Sequence, residues 1–148
     1  MPKLFSIKRQ YSEKIYAKKK LVEFRRQNVK VKENDVCLIY TSFPVKEITG
    51  YFVVKEKIRL SLDKLWKRTK EMAGITKEEF MEYFKGCEEG TAIVFKAIKM
   101  FVSGLPLAEI RKKLRGFVPP QSYCNLNESL YSLIHKKLGN KAVTLLDF

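Results

Sequence analysis

Lys20, Glu23 and Arg25 bring two cations and a carboxylate within six residues of one another. They sit in Ala17-Lys18-Lys19-Lys20-Leu21-Val22-Glu23-Phe24-Arg25-Arg26, where cations surround a single carboxylate. Side chains alternate faces along a strand. Val22 and Phe24 can therefore enter a core while Glu23 and Arg25 share the opposite face, with Lys20 just before them where a helix hands over to the strand. A lysine, a glutamate and an arginine gathered this way make a small polyanion-binding or proton-handling site. The same pattern also fits a basic, solvated strand face carrying a Glu23–Arg25 pair, because charge runs are usually solvated.

The elements that must position these residues follow from pattern and punctuation. Leu4 to Lys8 reads as a first strand, and Gln10 to Lys18 as a helix with Tyr11 and Ile15 on one face. Leu21 to Arg25 is the charged strand, and Asn28 to Asn34 a polar loop. Val36 to Tyr40 is a compact apolar run expected to be a buried strand, followed by a turn over Thr41-Ser42-Phe43-Pro44. Ile48 to Glu56 reads as a strand in which Gly50 marks a bulge or a close backbone approach. Ser61 to Met72 has a helical stripe of Leu62, Leu65, Trp66 and Thr69. Thr76 and Glu79 form a capping box for the next helix, which Gly86 ends, with Ile75 and Phe80 as its staple. Thr91 to Phe101 is another strand and Leu107 to Leu114 a short basic helix. Pro119 to Tyr123 must be extended or turning. Asn127 caps a last helix over Glu128 to Leu138, stopped by Gly139, and Val143 to Leu146 reads as a closing strand. Five or six short strands without regular β-α-β alternation argue for an α+β fold with a curved sheet or small barrel.

Composition narrows the function classes. A length of 148 residues and a 45% apolar fraction suit one globular domain, taken as residues 1–148. No apolar run approaches the ~18 residues of a membrane span, and the N-terminus lacks a signal-peptide core. The chain therefore reads as soluble and cytoplasmic, with no membrane partner. Cys37, Cys87 and Cys124 are too scattered for a disulfide framework, and with His135 the sole histidine no metal site or cofactor is expected. Residues 1–32 hold eleven Lys/Arg against two Glu, so +9 of the net charge of +14 lies in the first fifth of the chain. A second cluster, Arg111, Lys112, Lys113 and Arg115, lies far along. Such a field attracts polyanions, nucleic acid among them, although a merely soluble Lys-rich surface has the same composition.

An ordered set of segments carries a resemblance. Phe5-Ser6-Ile7-Lys8, Tyr11-Ser12-Glu13-Lys14-Ile15, Lys20-Leu21-Val22-Glu23-Phe24-Arg25-Arg26, Ile39-Tyr40-Thr41-Ser42-Phe43-Pro44-Val45-Lys46 and Gly50-Tyr51-Phe52 come first. Leu65-Trp66, Ala73-Gly74-Ile75-Thr76-Lys77-Glu78-Glu79-Phe80, Tyr83-Phe84-Lys85-Gly86 and Pro119-Pro120-Gln121-Ser122-Tyr123 follow. From about Leu4 to Asn125 the chain resembles the ASCH domain of the PUA-like superfamily; the stretch 127–146 lies beyond the most recognisable part. The resemblance implies a small β-barrel of five to six strands with flanking helices and a basic ligand cleft. The family signature of Gly, Lys, Glu and Arg falls on Lys18, Lys20, Glu23 and Arg25. Glycine usually serves a positive φ or a close ligand approach, so Lys18 in its place bears on the turn's geometry and adds a cation beside the cleft.

By the same resemblance, Arg26, Ser42, Lys46, Gln121 and Ser122 approach that cleft. Lys20 and Arg25 would offer donors to phosphate, Arg25 as a fork. Tyr40, Tyr83 and Tyr123 would be stacking surfaces for a base or else core residues. The implied function is binding of RNA or a nucleotide-like ligand. A metal-independent hydrolase acting on RNA or a modified nucleoside is the alternative, with Lys20, Glu23, Tyr83 and Ser122 as its candidate catalytic groups. Some small ASCH proteins resemble amidohydrolases of N4-acetylcytidine that use a lysine and a threonine nucleophile; Lys20 matches the lysine, but Glu23 stands where the threonine would be. A protein-interaction or coregulator module is the third reading.

Overall fold

The computed structural model describes residues 2–138. Its elements are β1 (Lys3–Ile7), α1 (Arg9–Tyr16), β2 (Val22–Arg25), β3 (Val36–Thr41), β4 (Glu47–Ser61), α2 (Leu62–Thr69), α3 (Lys77–Tyr83), β5 (Glu89–Pro106), α4 (Leu107–Lys113), β6 (Tyr123–Asn125) and α5 (Glu128–Leu138). The six strands form one sheet in the order β2-β5-β4-β3-β1-β6. Only β1 and β3 run parallel, with Phe5 opposite Ile39; the other neighbours are antiparallel. The sheet is a curled half-barrel whose two edges, β2 and β6, carry no backbone ladder between them.

β4 and β5 are longer than their apolar patterns suggest, because bulges let one strand continue through charged stretches. Register shifts fall between Ile48 and Gly50, Val53 and Val54, and Val54 and Glu56. Gly50 sits where a Cβ would collide with the carbonyl of Lys99 and crowd Tyr16, the close approach its place in the strand foretold. The hydroxyl of Tyr16 shares a 2.6 Å hydrogen bond with Thr49, which seats α1 against the sheet.

Three apolar clusters fill the fold. One lies under α4 and α5 and includes Leu38, Ile48, Leu105, Ile110 and Ile134. A second packs α1 and the residue 28–34 loop on the sheet through Phe5, Ile15, Val29, Ile39 and Phe52. The third joins β2 to α2 and α3 through Val22, Phe24, Leu65, Phe80 and Phe84. α3 starts with the expected capping box, Thr76 Oγ1 accepting from Glu79 N at 3.1 Å while Glu79 Oε1 accepts from Thr76 N at 3.2 Å. Asn127 Oδ1 accepts from Leu130 N at 2.7 Å and caps α5. Gly139 and the strand expected over Val143 to Leu146 lie outside the described residues.

Candidate functional site

The site begins with a helix ending. Lys18 N donates to Ile15 O and Lys19 N to Lys14 O, at 3.0 and 2.9 Å, the two bonds of a Schellman motif closing α1. That motif needs a left-handed residue at its turn, and Lys18 supplies it with φ of +60°. Glycine is the usual occupant, so lysine here keeps the turn's shape at a cost of roughly 1–2 kcal/mol. The turn is clamped from 50 residues away by the α2–α3 connection. Leu21 N donates to Met72 O at 2.9 Å, Lys14 Nζ to Gly74 O at 2.9 Å and Lys20 Nζ to Ala73 O at 3.1 Å. Gly74, with φ of +67°, leaves no room for a Cβ against the backbone of Lys19 and Lys20.

This clamp buries Lys20. Its side chain is 2% exposed, with Nζ 4.7 Å from the ring centroid of Phe24 and 5.6 Å from that of Tyr11. Burial pushes its ammonium down to about 8; Glu23 opposes that fall and Lys14 adds to it. Such a lysine exchanges its proton near neutral pH, which an exposed lysine does not.

Glu23 and Arg25 are 7% and 9% exposed, so the solvated-face alternative does not hold. Arg25 Nε and Nη2 both reach Glu23 Oε2, at 3.1 and 2.8 Å. Nη2 also donates to Ser6 O at 3.0 Å, and Nη1 donates to Ser122 Oγ at 3.0 Å and Ser122 O at 3.3 Å. A guanidinium has five N–H donors, and five contacts use them. Arg25 is therefore not a free fork for phosphate. It ties edge strand β2 to β1 and to the segment entering β6, and so closes across the seam that the backbone leaves open.

Above this floor lies a cleft of about 520 Å³, lined among others by Ser6, Lys8, Tyr11, Lys20, Glu23, Phe24, Arg25, Tyr40, Ser42, Glu79, Tyr83, Pro119, Pro120 and Gln121. That volume lies in the range of roughly 300–1,000 Å³ common for small-molecule sites. The Tyr83 hydroxyl donates to Phe24 O at 3.0 Å, and burial, helped by the charge of Glu23, pushes it above the usual tyrosine range. Tyr40 is also raised by burial, against the nearby charge of Arg111. Capping bonds with Thr76 hold the Glu79 carboxyl below the usual range.

Among the residues singled out from sequence, Lys20, Glu23, Arg25, Ser42, Tyr40, Tyr83 and Gln121 line this cleft. Ser122 is half-buried and serves as a partner of Arg25. Lys18 and Lys46 are exposed and outside the lining, Lys46 sharing the left-handed backbone with φ of +55°. Arg26 is exposed and stacks on Tyr83, its Nε donating to Tyr83 O at 2.7 Å. Tyr123 stacks on Phe5 at 5.2 Å. Arg111 donates to Phe117 O at 3.0 Å, and it, Lys112, Lys113 and Arg115 are exposed on or just after α4. Tyr11, Ser6, Lys8, Glu79 and the two prolines were not anticipated as lining residues. Tyr11 had a signal: it shares a helix face with buried Ile15 and precedes Lys20 by nine residues, so that face meets the turn. Among the described residues no group of His, Cys, Asp and Glu is placed to hold a metal ion, and no helix is long and apolar enough to cross a membrane.

A family model described as a domain of unknown function, DUF365, matches residues 3–115. An ASCH domain-containing ribonuclease of Zymomonas mobilis is 26% identical over 113 residues, 76% of either chain. The crystal structure of ASCH from Zymomonas mobilis covers 94% of this chain and 96% of its own at a TM-score of 0.86, with 23% identity. The chain belongs to the DUF365 family and has the ASCH fold. A serine-to-alanine variant of the Zymomonas protein matches at a TM-score of 0.81, with 24% identity over 97% of this chain and 95% of that one. The N-terminal domain of Staphylothermus marinus McrB has a more distant likeness to this chain, at a TM-score of 0.60 and 11% identity over 92% of this chain and 93% of that one.

Proposed function

We propose that this ASCH domain binds RNA, with one nucleotide seated in the cleft above Lys20, Glu23 and Arg25. The observation that carries the reading is the pairing of a buried, cation-rich floor with aromatic walls in a chain of net charge +14. Tyr11, Tyr40 and Tyr83 give a base apolar faces, and Lys20 gives an anion a charge that water does not screen. Glu23, held by Arg25, is an acceptor for a base amino group. Arg25 itself is a positioning residue. The relative named a ribonuclease, with its comparable fold, supports an RNA ligand over a protein partner. Outside the cleft, the N-terminal cations and residues 111–115 contribute the general phosphate attraction.

Lys20 favours a second reading on the same substrate, metal-independent RNA cleavage. A lysine titrating near 8 is partly neutral at physiological pH. In its neutral form Nζ can take the proton of a ribose 2′-hydroxyl; the oxygen then attacks the adjacent phosphorus, the bond to the 5′-oxygen breaks as water gives that oxygen a proton, a cyclic phosphate and a 5′-hydroxyl result, and the hydroxide formed takes the proton back from Nζ. Removal of acetate from N4-acetylcytidine is not expected, because Glu23 replaces the hydroxyl nucleophile and is engaged by Arg25.

Titration of labelled single-stranded and structured RNA over a salt series tests the first reading. For about six neutralised phosphates, affinity should fall by about 10³-fold between 50 and 200 mM salt; a flat response or no binding at low salt would overturn it. A product assay in the presence of a chelator tests the second. Cleavage lost in Lys20→Met at saturating RNA supports it, and cleavage unaffected by that change sinks it.

A further inference from the structure

β5 is the longest strand of the sheet, and part of it stands without a neighbour on one side. β2 pairs with it only over residues 91–94, and Leu21 O accepts from Phe95 N at 3.0 Å where the chain enters β2. On the opposite side β4 carries the ladder on to Pro106. Among the described residues, no strand or backbone group pairs with residues 96–103 on the side away from β4. An open edge is commonly guarded by lysines, and Lys96 and Lys99 are exposed here. Guarding does not account for Met100, 58% exposed, or for Val102, fully exposed. These two stand two residues apart, the spacing of one face of a strand, and Lys99 falls on the other face. From Gly90 to Ala108 the chain has no Asp or Glu, and β4 brings carboxylates only to the ends, Glu47 opposite Pro106 and Glu56 opposite Val94. The end of α1 adds cations. Tyr16 and the Lys99 carbonyl meet at Gly50, and Lys18 and Lys19 are exposed in the turn that runs from there to Leu21. Lys18 holds its left-handed backbone although it lies outside the cleft lining.

We propose that residues 96–103 of β5 are a docking edge for an extended acidic segment of another protein, which adds to the sheet as a strand beyond β2. The unpaired backbone groups supply the ladder, and side chains at alternate positions supply the selectivity. Met100 and Val102 receive apolar residues from one face of the segment. Lys99 meets carboxylates on the other face, in the positive field to which Lys18 and Lys19 contribute. Lys96 is turned to Asn34, to whose Oδ1 its Nζ donates. A second copy of this chain would bring lysines against lysines and a net charge of +14 against itself. A nucleic-acid strand has no peptide groups with which to continue a ladder.

Calorimetric titration of the full chain at low salt with an end-blocked peptide of alternating valine and glutamate tests the edge. The peptide should bind, and residue-resolved amide exchange should show new protection within residues 96–103. Methylating two of its ladder-forming amide nitrogens should weaken binding about 5- to 150-fold, the effect of two lost hydrogen bonds. Lys99→Glu should weaken it about 2- to 30-fold, since a cross-strand attraction becomes a repulsion, and a peptide with lysine in place of glutamate should not bind. No binding of the valine–glutamate peptide, or binding indifferent to methylation, overturns the proposal. So does protection of every amide in residues 96–103 in the free protein. Protection at all concentrations would mean that another part of this chain covers the edge, and protection only at high concentration that a second copy does.

Discussion

Val22 and Phe24 on one face of β2 are as deeply buried as Glu23 and Arg25 on the other, but different forces hold the two faces. The apolar face joins Leu65, Ala73, Phe80 and Phe84, with the ring of Phe24 meeting Phe80 and Phe84 edge-on at 5.1 and 5.9 Å. Burial of that kind is non-directional, so another apolar residue of similar volume is tolerated. The polar face depends on donors and acceptors of fixed geometry, five from Arg25 alone. Nothing but arginine reproduces them. One strand thus serves two interiors, a core that resists water and the floor of a cleft.

The largest expected effect breaks the polar face. Arg25→Met leaves Glu23 without its countercharge and removes the donors to Ser6 and Ser122. Loss of one partner of a buried pair costs about 3–5 kcal/mol. At about 2–4 °C per kcal/mol for a chain of this size, the melting temperature should fall by roughly 6–20 °C in calorimetry. Arg25→Lys should rescue little of it. Phe24→Leu, on the apolar face, should cost only about 1–2 kcal/mol. If Arg25→Met melts no lower than Phe24→Leu, the asymmetry between the faces is wrong.

Lys20 sharpens the comparison, since it borders both faces. Its ammonium titrates near 8 in the fold and at 10.5 in the absence of burial. Between those values the unfolded chain binds more protons, so stability rises with pH across the window of about 8 to 10.5. Below 8 the lysine is charged in both states and the full cost of its burial, about 3 kcal/mol, weighs on the fold. Denaturant unfolding of wild type and Lys20→Met at pH 7 and pH 10 should show wild type gaining up to about 3 kcal/mol more than the variant. Equal pH dependence in the two would mean that Lys20 is not desolvated.

The smallest effect concerns Lys18. Lys18→Gly removes the strain of a left-handed lysine, so stability should rise by about 1 kcal/mol, or about 2–4 °C. A loss of stability would show that the lysine side chain makes a contact worth more than the strain.

Much of this comparison was legible in the sequence. The alternation of Val22, Glu23, Phe24 and Arg25 foretold two faces, and the Thr76–Glu79 box and the turn at Pro44 stood out because capping and proline act locally. The burial of the charged face was not legible. It depends on the α2–α3 connection settling on Lys20 and on Ser122 arriving from 97 residues away, and neither contact leaves a mark in local pattern. Nor were the full lengths of β4 and β5, since Lys55, Glu56 and Lys57 interrupt the apolar pattern while bulges carry the ladder past them. That Arg25 spends every donor on the protein follows only from geometry, and it turned an expected phosphate ligand into the tie across the sheet's two edges.

RNA that enters the cleft above Lys20 is distinguished from RNA that merely coats the basic surface by where it touches the protein. Photocrosslinking of a thiouridine-labelled single strand, with the attachment points read by mass spectrometry, separates the two. Binding in the cleft should give crosslinks at Tyr11, Tyr40 or Tyr83, all reduced by a competing mononucleotide. Crosslinks confined to residues 111–115, indifferent to that competitor, would contradict it.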